Sequence, residues 1–347
     1  MLHGRVRNSK RRVSLLRVVV MQRRLILSLC DLPPRTRPNQ AWLERVWHNW
    51  PRSFVERFWT NDKGKRAKWI RKIAKAETAE KDSIRASFEA QLRFKELFDG
   101  GSSFSIPKWP NSSASEKAAK SLLNSFYNPL FYEANGFPER KAEVTFKRSD
   151  FIACFESERK ICPYCDNAVQ LTKLDHYLPK DSFPALSCHP DNLIPCCTDS
   201  NETKGTMLPL DPAERNQVEH WFHPRLRPTK DRFRIELIPA IGPSQEIRVS
   251  AIDASEQKAI DNFEKMFGLT KFWGAELAGE AGLLFSEIED ELKEYGEPKT
   301  EANLRTRIEK RQIRERLKTG KTALALVRAE FLGFVLSDKN LIAQQIP

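Results

Sequence analysis

The feature that most constrains this chain is the stretch 162–205, which opens with CPYC, runs through LDHYLPK and DNLIPCC, and closes with SNETKG. Cys162 and Cys165, separated by two residues, form a knuckle whose thiolates suit adjacent corners of a tetrahedral zinc. A second cysteine pair, Cys196 and Cys197, follows in the same stretch. A short polar loop buries too little apolar surface to hold reactive groups still, so a metal staple is the expected device. Between and after the cysteines stand Asp175, His176, Asn192, Asn201 and Lys204. Asp175 and His176 follow QLTKL on an expected β-strand, and consecutive strand residues point to opposite faces. A carboxylate can then bind a divalent cation while the neighbouring imidazole stays free to take a proton from water.

The rest of the composition says what such a site would meet. The 347 residues carry a net charge of +12, with an isoelectric point near 9.4. A field of that sign favours polyanions, nucleic acid first. Part of it is concentrated in residues 1–20, which hold Arg5, Arg7, Lys10, Arg11, Arg12 and Arg17 and no acid. Two expectations follow for this segment: translation starting at Met21, or a flexible basic arm that touches phosphates. Seven cysteines are an odd number, and their clustering favours metal ligation in a reducing cytoplasm over a disulfide framework. No apolar run approaches the roughly 18 residues that a membrane span needs, so no membrane partner is expected.

Along the chain, residues 38–98 are helical in character, with aromatic and basic side chains interleaved from Trp42 to Lys72. They read first as amphipathic helices with an aromatic core stripe and a cationic solvent face, and second as a nucleic-acid track. The Gly-, Ser- and Pro-rich segment 99–115 reads as a linker, with Ser115 placed to cap a helix over 115–127. After the motif, RFRIELIP and EIRVSAI alternate with period two and predict a β-hairpin. Helical spacing resumes at Ser255, with a last helix pair over 299–333. The expected class is α+β, a mainly helical chain with a small ββα unit embedded in it and a hairpin after it. Its divisions are 1–37 (basic segment), 38–127 (helical), 128–225 (motif module) and 226–347 (hairpin and helices). TGKT at 319–322 lacks the earlier glycine and preceding strand of a phosphate-binding loop. His220 and His223 have metal-like spacing but aromatic surroundings, and read as packing.

The ordered elements Cys162/Cys165, Asp175-His176 with Pro179-Lys180, Asn192-Leu193 with Pro195, and Cys197 leading to Asn201, Lys204 and Gly205 resemble the HNH endonuclease family with its ββα-metal fold. The likeness covers some 45 to 60 residues. It implies hydrolysis of DNA phosphodiester bonds, with His176 as the base that activates water. Asp175 and Asn201 would hold a catalytic Mg²⁺ or Mn²⁺, Asn192 would brace His176, and Lys204 would approach a phosphate or the metal. Structural Zn²⁺ would sit on Cys162, Cys165 and Cys197. The family carries a cysteine just before the final Asn, whereas this chain has Ser200, a poorer zinc ligand than a thiolate. The fourth ligand is therefore left among Cys196, Cys188 and His189, with loss of the zinc as the alternative. Similar nucleases serve bacterial antiphage and restriction systems beside an ATPase that senses the invader, which here would be a separate chain. Two other readings stand beside this one: a non-catalytic zinc-knuckle protein that binds nucleic acid, and an RNA-directed nuclease using the same groups. Oligomeric state is left open.

Overall fold

A computed structural model of the chain describes residues 10–99, 104–132, 136–138, 145–158, 161–168, 171–211, 218–229, 232–238, 246–319 and 322–346. The first helix, α1 (Lys10–Asp31), places Leu15, Val18, Met21, Leu25 and Leu29 in the core. That spacing of three or four residues makes one buried stripe. From Lys10 onward the segment expected as a basic arm is thus a core helix. α2 (Gln40–Val46), α3 (Arg52–Thr60), α4 (Lys65–Ala74) and α5 (Thr78–Leu92) follow.

Their aromatic residues form the inner stripe. Trp47 is fully buried, with the rings of Phe58, Phe126 and Phe54 at 4.7, 6.1 and 6.3 Å. Its indole Nε1 donates to the Met21 carbonyl at 3.1 Å, which satisfies the one polar group that this large side chain buries. Trp59 is buried as well, and Trp42, Trp50 and Trp69 pack against the same core at partial exposure. Arg66 is buried too, lying over the Phe58 ring and donating to the Phe58 carbonyl.

The Gly-, Ser- and Pro-rich segment leads into α6 (Ala114–Ser125). Its cap is Ser113 rather than Ser115. Ser113 Oγ accepts from the Glu116 amide and Glu116 returns a bond to the Ser113 amide, the reciprocal pair that needs a Glu three residues after the cap. A two-residue ribbon, β1 (Phe137–Pro138) with β2 (Thr145–Phe146), and α7 (Arg148–Glu158) precede the motif.

The motif itself folds as β3 (Lys173–His176), β4 (Leu193–Cys196) and α8 (Thr198–Lys204). The strands are antiparallel, with Asp175 opposite Ile194 and His176 opposite Leu193. The later hairpin pairs β5 (Phe233–Ile238) with β6 (Glu246–Ala251) in the register Phe233 to Ala251. Its connecting residues 239–245 lie outside the described ones. The chain closes with α9 (Gln257–Phe267), α10 (Leu269–Glu294), α11 (Glu301–Lys318), α12 (Ala325–Ser337) and α13 (Lys339–Ala343). α12 covers β5, α10 covers β6, and α9 packs on α8, so the C-terminal helices back the motif.

The class is α+β, helices with three separate two-stranded antiparallel sheets among the described residues. α11, not a strand, precedes TGKT, and Gly320 and Lys321 lie outside the described residues. Among the described residues no helix is long and apolar enough to cross a membrane.

Candidate functional site

The knuckle is a tight backbone turn: the Asp166 amide donates to the Cys162 carbonyl, and the Cys162 amide to the Asn167 carbonyl, each at 2.9 Å. Asp166 takes φ of 61°, a left-handed conformation that Asp tolerates better than most residues. The turn is pinned from outside by the Trp273 indole, which donates to the Cys165 carbonyl at 3.0 Å. Cys197 comes from the other end of the motif, where it caps α8 by accepting the Ser200 amide on Sγ. The sulfurs of Cys162, Cys165 and Cys197 lie within 4.8 Å of one another, all buried. Burial pushes the Cys162 thiol up, but hydrogen bonds from Cys165 and Cys197 outweigh it and bring the group well below its usual range. The same hydrogen bonds push Cys165 and Cys197 up, so the lowered sulfur is Cys162 alone. Three cysteine sulfurs this close together are a donor set that fits a thiophilic divalent ion such as zinc. Cys196, one residue before the cap, is buried but is not one of the three converging sulfurs.

On β3, Asp175 and His176 take different surroundings, as strand alternation requires. Asp175 is buried against α8 and the knuckle. Its Oδ2 accepts from the Tyr164 hydroxyl at 2.6 Å, and its Oδ1 from Lys204 Nζ at 3.0 Å. Lys204 also donates to the His176 carbonyl at 2.9 Å. Burial and the neighbouring Asp175 raise Tyr164 well above its ordinary range, so its hydroxyl keeps the proton it donates. Asn201 is partly exposed one helical turn before Lys204, on the same face of α8. Gly205 closes α8 with φ of 51°, a conformation glycine reaches without strain.

The His176 ring turns the other way. Its Nε2 donates to the Ser187 carbonyl at 2.9 Å, and Tyr127 stands edge-on at 4.3 Å. A carbonyl only accepts, so Nε2 carries the proton and the Nδ1 lone pair is the basic position. Burial pushes His176 down to about 3, so the ring is neutral near pH 7. Asn192 acts through the loop: its Oδ1 accepts the Leu178 amide at 2.8 Å, and its Nδ2 donates to the carbonyls of Leu178 and Leu186 at 3.0 and 3.2 Å. Leu186 directly precedes Ser187, so Asn192 holds the segment that orients His176.

The structure therefore brings together Asp175, Lys204 and the His176 backbone on one side, and three thiols beside them. The two oxygens of the Asp175 carboxylate are taken by Tyr164 and Lys204, not by Asn201. The site is built for one positive charge at Asp175, and Lys204 supplies it.

Sequence reasoning missed Asp191. It is 2% exposed and accepts from Arg12 of α1, from Lys95 and from Arg225, with N–O distances of 2.7, 2.7 and 2.9 Å. Burial alone would raise this carboxyl, but Arg12 and Lys95 hold it well below the usual carboxylate range. His189 Nδ1 accepts the Asp191 amide and His223 Nε2 donates to the Asp191 carbonyl, so His223 is a packing group behind the loop. Asp191 thus ties α1 and two other segments to the loop that carries Asn192. The one sequence signal was a lone charge within 182–198; its partners are too distant in sequence to be read.

Comparison with known proteins adds one relative: protein ea31 of Escherichia phage lambda is 36% identical over 103 residues, which cover 29% of this chain. The chain spans 31% of that protein's length. No family model matches the chain. No solved structure matches it.

Three predictions follow from this geometry. Asp191→Asn leaves three cations facing a neutral amide and should lower unfolding stability by roughly 3–5 kcal/mol in urea titration; a loss below about 1 kcal/mol would show the clamp to be idle. Lys204→Met leaves Asp175 buried without its cation and should lower the Tm, with millimolar Mg²⁺ or Mn²⁺ restoring part of it if Asp175 and Asn201 accept a divalent ion. His176, His189 and His223 are each pushed down to about 3 by burial, while an unfolded histidine titrates near 6.5. The unfolded chain then binds more protons between those values, so stability is complete above about pH 6.5 and falls as the pH drops, by about 1.4 kcal/mol per unit for each ring. Asp191, a carboxyl also held down, keeps its full contribution above the unfolded carboxyl value of about 3.9 and loses it progressively as the pH falls below that. A Tm that stays flat from pH 7.5 to 5 would contradict this burial.

Proposed function

We propose that this protein is an HNH-type endonuclease that hydrolyses the phosphodiester bonds of DNA, with His176 activating the attacking water. The observation that carries the reading is the ring of His176, fixed by Ser187 with its Nδ1 lone pair unprotonated, on a β-ribbon whose neighbouring residue is a buried carboxylate paired with a cation. A base needs an unprotonated nitrogen held in one orientation. An approaching phosphate, being anionic, raises a histidine lowered by burial and moves it toward a useful basicity.

Asp175 and Asn201 are the residues that would hold Mg²⁺ or Mn²⁺, which would stabilise charge on the scissile phosphate and leaving oxygen. For that, Lys204 must leave Asp175, and its ammonium is then free to meet a phosphate. The net charge of +12 supports a polyanionic substrate. The thiol group would act as a staple that keeps the knuckle against α8. A role in antiphage defence or restriction, with a separate ATPase or sensor chain, belongs to the same proposal.

One observation favours a second reading. Both Asp175 oxygens are committed within the protein, as befits a structural module that binds nucleic acid without cutting it. Cleavage assays with supercoiled plasmid and with RNA, in Mg²⁺, Mn²⁺ and EDTA, separate the readings. The wild type should cut DNA, and His176→Ala should be slower by about 10²–10⁴-fold with unchanged folding. Binding without cleavage under every metal condition would sink the hydrolase and leave the binding module. Cleavage of RNA alone would redirect the substrate.

A further inference from the structure

Ser200 stands at the place the thiol group leaves open. Its Oγ lies 3.2 Å from Cys197 Sγ and 3.6 Å from Cys162 Sγ, and the residue is buried. Cys165 and Cys197 sulfurs are 3.8 Å apart. A tetrahedral zinc with bonds of about 2.3 Å to sulfur and about 2.0 Å to oxygen has S–S edges near 3.8 Å and S–O edges near 3.5 Å. The separations of 3.2, 3.6 and 3.8 Å lie within about 0.3 Å of those edges.

The other fourth donors suggested by sequence have different surroundings. Among the described residues, the converging group of thiol, imidazole and carboxylate donors here is Cys162, Cys165 and Cys197 alone. His189 takes the Asp191 amide on Nδ1 and stands edge-on to Phe94 at 5.0 Å. A cavity of about 390 Å³, lined by Cys165, Cys197 and Ser200 on one wall and by Phe267, Leu269 and Phe272 on the other, opens onto this corner.

We propose that Ser200 Oγ is the fourth donor of a three-thiolate site for zinc or another thiophilic divalent cation, and that this oxygen corner makes the ion exchangeable through the cavity. A thiolate donates more charge than a hydroxyl, so the oxygen corner is the weak one. The cavity is large enough to bring a small chelator or thiol to it. The proposal rests on the thiol group taking a metal and is independent of the hydrolase reading.

The test uses the full chain purified under reducing conditions, loaded with Zn²⁺ or with Co²⁺ as a spectroscopic probe. Metal analysis should give one ion per chain. The Co²⁺ form should show thiolate charge-transfer bands of a site with three sulfurs, and Ser200→Cys should strengthen them and move the visible bands to longer wavelength. Ser200→Ala should weaken zinc binding by about tenfold or more, and Ser200→Cys should slow zinc release to a chelator by a similar factor. A wild-type spectrum of four sulfurs that is lost in Cys196→Ser or Cys188→Ser would overturn the assignment. So would zinc affinity unchanged within twofold in Ser200→Ala, or a reduced wild-type protein that takes up no zinc or cobalt. The spectrum of the wild type decides the matter even if a variant fails to fold, and no readout depends on cleavage.

Discussion

The arrangement of this site depends on Cys197. One sulfur atom caps α8 by accepting the Ser200 amide and also joins the sulfurs of Cys162 and Cys165. A seven-residue helix is too short to be stable by its own hydrogen bonds. Fixing its first turn to the knuckle sets the axis along which Lys204 emerges near the other end. From there the ammonium reaches Asp175 and the His176 carbonyl across the ribbon. The position of a cation at the carboxylate is therefore inherited from the geometry of sulfur.

Two buried carboxylates organise opposite sides of the motif, and both are matched by cations rather than left bare. Asp175 has one ammonium and one phenol. Asp191 has two guanidinium groups and an ammonium drawn from segments far apart in the chain. An unpaired buried charge costs several kcal/mol, so each carboxylate imposes a place on its partners. For Asp191 the consequence reaches beyond its own contacts. The loop it anchors continues into Asn192, which grips the backbone at Leu178 and Leu186, and the next carbonyl orients His176.

Much of the architecture was legible because it follows local rules. The stripe of Trp47, Phe54 and Phe58 at helical spacing, the alternation in 233–238 and 246–251, and the strand under Asp175 all appear as the periodicities imply. The capping serine was misplaced by two positions because the partner Glu116, not proximity to the apolar run, selects the cap. In the basic segment from Lys10 the arginines share a helix with an apolar stripe at Leu15, Val18, Leu25 and Leu29, and burial of that stripe decides the outcome.

The order of chemical groups, from knuckle to Asp-His pair to Asn and Lys, belongs to the sequence by itself, as does the strand–strand–helix plan that carries them. Spacing along a backbone of known pitch suffices for that. Which charge faces Asp175, which oxygen stands beside the three sulfurs, and which cations enclose Asp191 were decided only in three dimensions. Arg12 and Asp191 are 179 positions apart, and no local periodicity reports a contact made by folding the whole chain around it.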